Sequence, residues 1–418
     1  MHLLYIQMKN KHILLIISLL LLNCCAFAQT SEHTLREMLN LINQDSIKRT
    51  VQDMQDFESR LCNKTVGQNR KVAQYLVDRL KAYNIENARI DSFYVSGLNW
   101  VAGTYDQYMY NVIGTLKGTG NTDSTVIIGA HLDAISYLPD YTLTPTAPGA
   151  DDNATGCAVM IETARIIFEN NLKPYHNIDF MAYDAEEIGL LGARYDADKR
   201  KNANEKIIVM LNNDMVGYQP QTEEYAVTLY WYDNALDVTE KARQALINYT
   251  TVTPYIPLAD ENESMNDRSD SWAYFLNDFK ATLALEYYFF LNQTYHRVDD
   301  IVENVNFDYC KEIAKMNFVL LADYSKINFA PNAIPYYSEN NRITVFPNPT
   351  TGQLIIDNGQ LIIENVELFD IYGRKQKIIL NSQFSILNSI DVSHLSSGVY
   401  FMRIDTDKEI VTKKIIKQ

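Results

Sequence analysis

Between Tyr108 and Tyr287 the chain alternates short apolar runs with segments of helical period, and this alternation restricts the fold more than any other feature. Tyr110 to Leu116, Ser124 to Ala130, Asn177 to Tyr183, Ile207 to Asn212 and Thr282 to Tyr287 read as strands. Gly156 to Glu169 and Gly189 to Lys201 read as helices between them. Strands joined through helices pair in parallel, so the expected architecture is α/β: a mixed, mainly parallel β-sheet flanked by helices. Upstream, Thr34 to Lys48, Val51 to Ser59 and Asn69 to Tyr83 carry apolar positions at three-to-four spacing and are predicted to be packing helices. Gly114 to Gly120 resembles a phosphate loop only faintly. No helix follows it and its glycine spacing is wrong, so a hairpin turn is expected.

The two ends of the chain differ from this middle. Lys9 and Lys11, the apolar run Ile13 to Leu22 and Ala26-Phe27-Ala28 have the layout of a signal peptide over 1–28, cleaved after Ala28. A lipid anchor on Cys24 or Cys25 is the competing reading, for which Asn23 is a poor preceding residue. No later stretch is long and apolar enough to cross a bilayer. Pro331, Pro335, Asn340 and Asn341 mark 327–342 as a linker. From Ile343 onward, short strand-like runs separated by turns predict a β-sandwich of roughly 75 residues.

The net charge of −15 lies before Ile343, because the last segment carries as many bases as acids. So acidic a surface excludes nucleic acid as a partner. Cys62, Cys157 and Cys310 remain after signal removal, enough for one disulfide or for three buried thiols.

Five segments carry residues able to ligate metal, most of them where a predicted strand ends. Open α/β sheets bind ligands along that edge. His131 closes one strand, with Asp133 placed to take a hydrogen bond from its second ring nitrogen. Asp151 and Asp152 precede a helix, where adjacent acids also serve as a cap. Glu186 and Glu187 follow another strand; one could ligate while the other takes a proton from water. Asp214 ends a fourth run and His296 follows a fifth. Asp300 and Glu303 also form a D-x-x-E capping pair. Two histidines and three carboxylates suit two zinc ions sharing one bridging carboxylate.

Taken in order, His-x-Asp, Gly-Ala-Asp-Asp-Asn-Ala-Thr-Gly, Asp-Ala-Glu-Glu, Asn-Asp-Met and Tyr-His resemble the zinc aminopeptidases of peptidase family M28, over about Leu35 to Lys326. The resemblance implies a zinc peptidase domain over 29–326. It implies that His131 and Asp214 hold one zinc, that Glu187 and His296 hold the other, and that Asp151 bridges them. Glu186 would be the catalytic acid/base and Asp133 the partner of His131, and a cis peptide would join Asp151 to Asp152. Peptides with a free N-terminus would be the substrates, their ammonium suited by the acidic groups at the site. Some relatives place an oxyanion-steadying Tyr before a Ser-Asp-His segment. Here that region reads Asn266-Asp267-Arg268-Ser269-Asp270-Ser271 without the Tyr or the His, and Tyr230, Tyr232 or Tyr274 are the substitutes on offer. Competing readings are a single-zinc glutaminyl cyclase, a dipeptidase or carboxypeptidase using Arg268 or Arg297, and an adhesin that has lost catalysis. Val345 to Thr350, Leu368 to Arg374, Gly398 to Phe401 and the ending Lys413 to Lys417 resemble the sorting domains of type nine secretion cargo. That resemblance implies export through this machinery, to the medium or to the outer cell surface.

Overall fold

The computed structural model describes residues 34–327 except 64, 100–102 and 221–222, residue 329, and 344–418 except 347, 349, 358–362, 371–373, 377–378, 381–386 and 407–409. The signal segment and nearly all of the expected linker lie outside the described residues. The chain divides into two units, Met1–Ala333 and Ile334–Gln418.

The first unit is built on one eight-stranded sheet. Its strands are β1 (Arg89–Asn99), β2 (Gly103–Leu116), β3 (Thr125–His131), β4 (Asn177–Tyr183), β5 (Ile207–Asp214), β6 (Ala226–Tyr230), β7 (Thr253–Tyr255) and β8 (Ala281–Glu286), in the order β1-β2-β4-β3-β5-β8-β6-β7. The central β4, β3, β5 and β8 run parallel. β1 and β2 are antiparallel at one side, and β6 lies antiparallel to β8 at the other. Every residue of β3 and β4 is buried, which explains why these runs are continuously apolar rather than alternating.

The helices are α1 (34–40), α2 (Gln44–Gln55), α3 (Asn69–Ala82), α4 (Gly156–Glu169), α5 (Leu191–Asn202), α6 (Leu236–Tyr249), α7 (Ala259–Glu263), α8 (Ser271–Leu276) and α9 (Phe307–Ser325). α4 and α9 pack on each other and on β3, with α2 and α6 against them. α5 and α8 pack together; α5 touches β2, and α8 touches β5 and β8. Two helix groups therefore cover the sheet and leave the C-terminal ends of the parallel strands open to loops.

Two sequence expectations change. The helix predicted from Thr34 to Lys48 is broken, because the Asn43 side chain accepts the N–H groups of Asp45 (2.8 Å) and Ser46 (3.2 Å) and starts a new helix at Gln44. That helix then runs on through Val51 to Gln55. The 114–120 segment is not a hairpin turn. β2 and β3 do not pair, because β4 lies between them and takes hydrogen bonds from both sides.

The second unit holds two antiparallel sheets. β9 (Thr344–Phe346), β10 (Gln353–Asp357), β13 (Ile379–Leu380) and β14 (Leu387–Asp391) form one. β11 (Ile363–Asp370), β12 (Lys375–Gln376), β15 (Gly398–Thr406) and β16 (Ile410–Lys417) form the other. Leu354, Ile356 and Ile390 of the first share a buried core with Leu368, Met402, Ile404 and Ile415 of the second. This is the expected all-β unit.

The Asn43 cap gives a direct test. Asn43→Ala removes the acceptor of both N–H groups and should cost about 1 kcal/mol. A fall of roughly 2–4 °C in thermal midpoint is expected by calorimetry.

Candidate metal centre

His131, Asp214, Glu187 and His296 come from four strand ends or the loops after them, and they converge with Asp152 along one edge of the sheet. Asp152 sits in the irregular turn Ala150–Thr155 that leads into α4. Its carboxylate is divided. Oδ1 lies 3.2 Å from His131 Nε2, which is also 3.3 Å from Asp214 Oδ1. Oδ2 lies 3.0 Å from His296 Nε2, which is 3.2 Å from Glu187 Oε2. Two ligand groups result, His131–Asp152–Asp214 and Asp152–Glu187–His296, sharing one carboxylate.

Asp151 does not take this place, and the cis peptide joins Asp152 to Asn153 rather than Asp151 to Asp152. The reason lies in how the turn is pinned. Asp300 accepts the N–H of Asp151 on Oδ1 (2.8 Å) and that of Asp152 on Oδ2 (3.0 Å). Gly149 precedes them at φ 55, where an added Cβ would meet Asp152 O at 2.3 Å. So fixed, the Asp151 side chain leaves the cluster and takes hydrogen bonds from Asn292 (3.1 Å) and Thr155 (3.3 Å) beside Glu286. Asp300 is thereby accounted for. It caps no helix: the turn Val302–Asn304 begins after Ile301 and has no side-chain cap.

Asp133 lies beside His131, with its backbone oxygen nearer the ring than its carboxylate. Its backbone O is 3.2 Å and its Oδ1 3.5 Å from His131 Nδ1. The same carboxylate accepts the N–H of Glu186 (3.1 Å) and of Glu187 (3.2 Å), so it ties the histidine to the glutamate turn. Arg60, fully buried, donates to the carbonyls of Leu132 (2.7 Å), Gly149 (2.6 Å) and Pro148 and fastens two of the loops together. Sequence reasoning did not find it, because its partners are all main-chain oxygens.

The carboxylates are crowded and few cations face them. Burial pushes Glu186 well above its ordinary value; His131 opposes this, and Glu187, Asp214 and Asp270 add to it. Burial likewise takes Glu187 up to about 6. Burial alone would lower His296, but Glu187 and Asp152 carry it up to about 10. Glu187 Oε1 and both oxygens of Asp270 are buried without a hydrogen-bond partner. The carboxylate oxygens of Asp152, Asp214 and Glu187 beside two imidazole nitrogens are a donor set that fits zinc.

A cavity of about 260 Å³ opens on this cluster. Glu186, Glu187, Asp152 and both histidines line one side, and Met215, Met265, Leu283, Leu285, Phe289 and Phe290 line the other. Tyr295 and Arg268 also reach it, whereas Tyr230, Tyr232 and Tyr274 do not line it. The Tyr274 hydroxyl bonds Tyr183 and Asp196, and that of Tyr232 bonds Asn266 O and Ser271, so both are occupied in the core. Tyr295 stacks on His296 at 3.8 Å. Its position next to His296 in the chain was the available signal, and it was missed. Arg297 is turned away, donating to the carbonyls of Tyr137 and Leu138. All three later cysteines are free and buried.

Residues 344–418 match the model of a secretion system C-terminal sorting domain, which marks the chain for export. The chain is 28% identical over 300 residues to a "Probable leucine aminopeptidase" of Arthroderma benhamiae, covering 71% of this chain and 76% of that one. It is 31% identical over 224 residues to leucine aminopeptidase 1 of Paracoccidioides brasiliensis, covering 51% and 54%. Among solved structures it is similar to the LapA aminopeptidase of Legionella pneumophila, with TM-score 0.57, 20% identity and coverage of 70% and 75%. A leucine aminopeptidase precursor of Bacteroides thetaiotaomicron gives TM-score 0.54, 18% identity and coverage of 71% and 98%. At such identities these two structures establish the fold.

The Asp151–Glu286 pair makes stability depend on pH. Burial, opposed by Glu286 and aided by Asp152, pushes Asp151 up to about 6, and burial also raises Glu286. A carboxyl raised above its unfolded value of about 3.9 stabilises fully below that pH, and the contribution is lost as pH rises through about 6. Glu286→Gln should therefore raise the thermal midpoint by roughly 2–4 °C at pH 8 and leave it unchanged at pH 4, read by calorimetry at fixed zinc.

The family model for peptidase family M28 matches residues 111–321, the span that holds every member of the two ligand groups, and the chain belongs to that family.

Proposed function

We propose that the chain is an exported two-zinc aminopeptidase that removes apolar N-terminal residues from peptides. The observation that carries this reading is the divided carboxylate of Asp152, with one oxygen toward His131 and Asp214 and the other toward Glu187 and His296. His131 and Asp214 would hold one ion, Glu187 and His296 the other, and Asp152 would lie between them in place of Asp151. Zinc bound there supplies Lewis acidity, which polarises the scissile carbonyl and acidifies water. Two complete ligand groups favour hydrolysis over single-zinc acyl transfer.

The protein's own groups do the rest. Glu186 lines the cavity, has its carboxylate beside His131 and Glu187, and is raised by burial. It takes the proton of the attacking water and delivers it to the leaving nitrogen. Asp133 holds His131 and the Glu186–Glu187 turn in register. Tyr295, which lines the cavity beside His296, would donate to the oxygen on which charge develops. The surrounding carboxylates suit a free ammonium. Met215, Leu283 and Leu285 form a buried apolar wall with Tyr230, backed by Met265 and Phe289, which suits an aliphatic side chain at the first substrate residue. The names of the relatives support the same preference.

Three outcomes test the reading. Glu186→Gln should keep the bound zinc and lose about 10²–10⁴-fold in kcat on leucyl aminocoumarin; near-normal turnover would reassign the base. Stripping metal should abolish hydrolysis and lower the thermal midpoint by roughly 10–20 °C, since each of two ions at about a hundred times its Kd adds ~2.7 kcal/mol. Leu285→Ala should reduce kcat/KM for leucyl substrates about tenfold while sparing alanyl substrates, read from the ratio of the two rates.

A further inference from the structure

Asp133 has a neighbour on its far side that no step above uses. Cys62 Sγ lies 3.2 Å from Asp133 Oδ2 and 3.7 Å from Asp184 Oδ1. Both carboxylates are fully buried. Asp184 accepts from Asn69 Nδ2 (2.6 Å) and Ala185 N (2.9 Å) on Oδ1, and from Tyr110 N (2.8 Å) on Oδ2. Burial and repulsion from Asp133 push Asp184 up to about 7. Burial, with Asp133 and Asp184, pushes the Cys62 thiol well above its ordinary range, so the sulfur keeps its proton and acts as a donor. The three groups are close enough to suggest a cation site. However, main-chain and amide N–H groups already engage both carboxylates, and the thiol contributes the remaining proton.

We propose that Cys62 is a positioning residue of the peptidase centre: its S–H, held between Asp133 and Asp184, fixes the carboxylate that orients His131 and carries the Glu186–Glu187 turn. The proposal rests on the aminopeptidase reading. Loss of the thiol proton leaves two buried carboxylates facing each other with one donor fewer, and Asp133 is then held only by the N–H groups of Glu186 and Glu187. A separate cleft of about 310 Å³, lined by Cys62, Asn69, Gln107, Met109, Tyr110 and Asp184, lies against the sulfur. Water entering from it could stand in for the thiol of an alanine variant, so valine, which fills the space without a donor, is the sharper replacement.

The test uses the full zinc-loaded enzyme with Cys62→Val and Cys62→Ser. For Cys62→Val, kcat on leucyl aminocoumarin should fall about three- to tenfold, with KM and zinc content unchanged. That is less than the roughly 10–100-fold typical for a group that touches the ligand directly. Cys62→Ser, which keeps an O–H donor, should return to within about twofold of wild type. Wild-type kcat in Cys62→Val overturns the proposal. So does equal loss in both variants, which would mean packing, and so does loss of one zinc, which would mean ligation. Infrared spectroscopy decides if Cys62→Val does not fold. Of the S–H bands of Cys62, Cys157 and Cys310, the one missing from Cys62→Ser should lie lowest in frequency, as expected for a thiol donating to carboxylate. A higher position overturns the proposal. If wild-type enzyme hydrolyses no aminoacyl substrate, the aminopeptidase reading has failed, and the infrared result still reports on the thiol contact.

Discussion

The site depends on a single carboxylate facing two ways. Asp152 can direct its oxygens to His131 and His296 only because its backbone is held from outside the turn that contains it. Asp300, about 150 positions later in the chain, takes both neighbouring N–H groups, and Arg60 takes the carbonyls of Pro148 and Gly149 on the other flank. The turn has left-handed backbone at Gly149 and no side-chain cap for the helix it enters. Local propensity would not hold such a conformation. Long-range hydrogen bonds do, and the parallel sheet behind them supplies the rigid frame.

This explains what could be read in the sequence and what could not. Strand ends are legible because buried parallel strands are continuous apolar runs, so His131, Glu186, Glu187 and Asp214 could be located before any coordinates. The same logic fails for Asp151 against Asp152. Two identical side chains stand side by side, and which one faces the cluster is decided by Asp300, Asn292 and Glu286. Asp300 was itself misread as a cap, since the D-x-x-E spacing is real and only the tertiary fold shows the carboxylate engaged elsewhere. The supposed hairpin at 114–120 failed similarly: adjacency in sequence suggested pairing, but the β4 run offers hydrogen bonds on both edges and lies between the two strands.

The specificity wall was the least legible part. Met215 and Tyr230 come from strand ends, Leu283 and Leu285 from alternate positions of β8, and Met265 and Phe289 from loops. Each reads as ordinary core. Only the sheet order, which sets β8 between β5 and β6, brings Met215, Leu283 and Leu285 to the cavity, with Tyr230 packed against them. The motif residues therefore point to the chemistry, while the apolar lining of the cavity comes from packing residues with no motif.

Cysteines in an exported chain invite a disulfide, yet Cys62, Cys157 and Cys310 are each buried and free. Two of them lie on the scaffold of the metal ligands: Cys62 donates to Asp133, and Cys157 Sγ lies 3.2 Å from the carbonyl of His131. Burial takes Cys157 up to about 12 and raises Cys62 and Cys310 as well. A thiol kept protonated by burial offers little thiolate to an oxidant, and Cys62 and Cys157 serve instead as hydrogen-bond donors. The same burial that gathers carboxylates for a cation thus also protects the cysteines that support them.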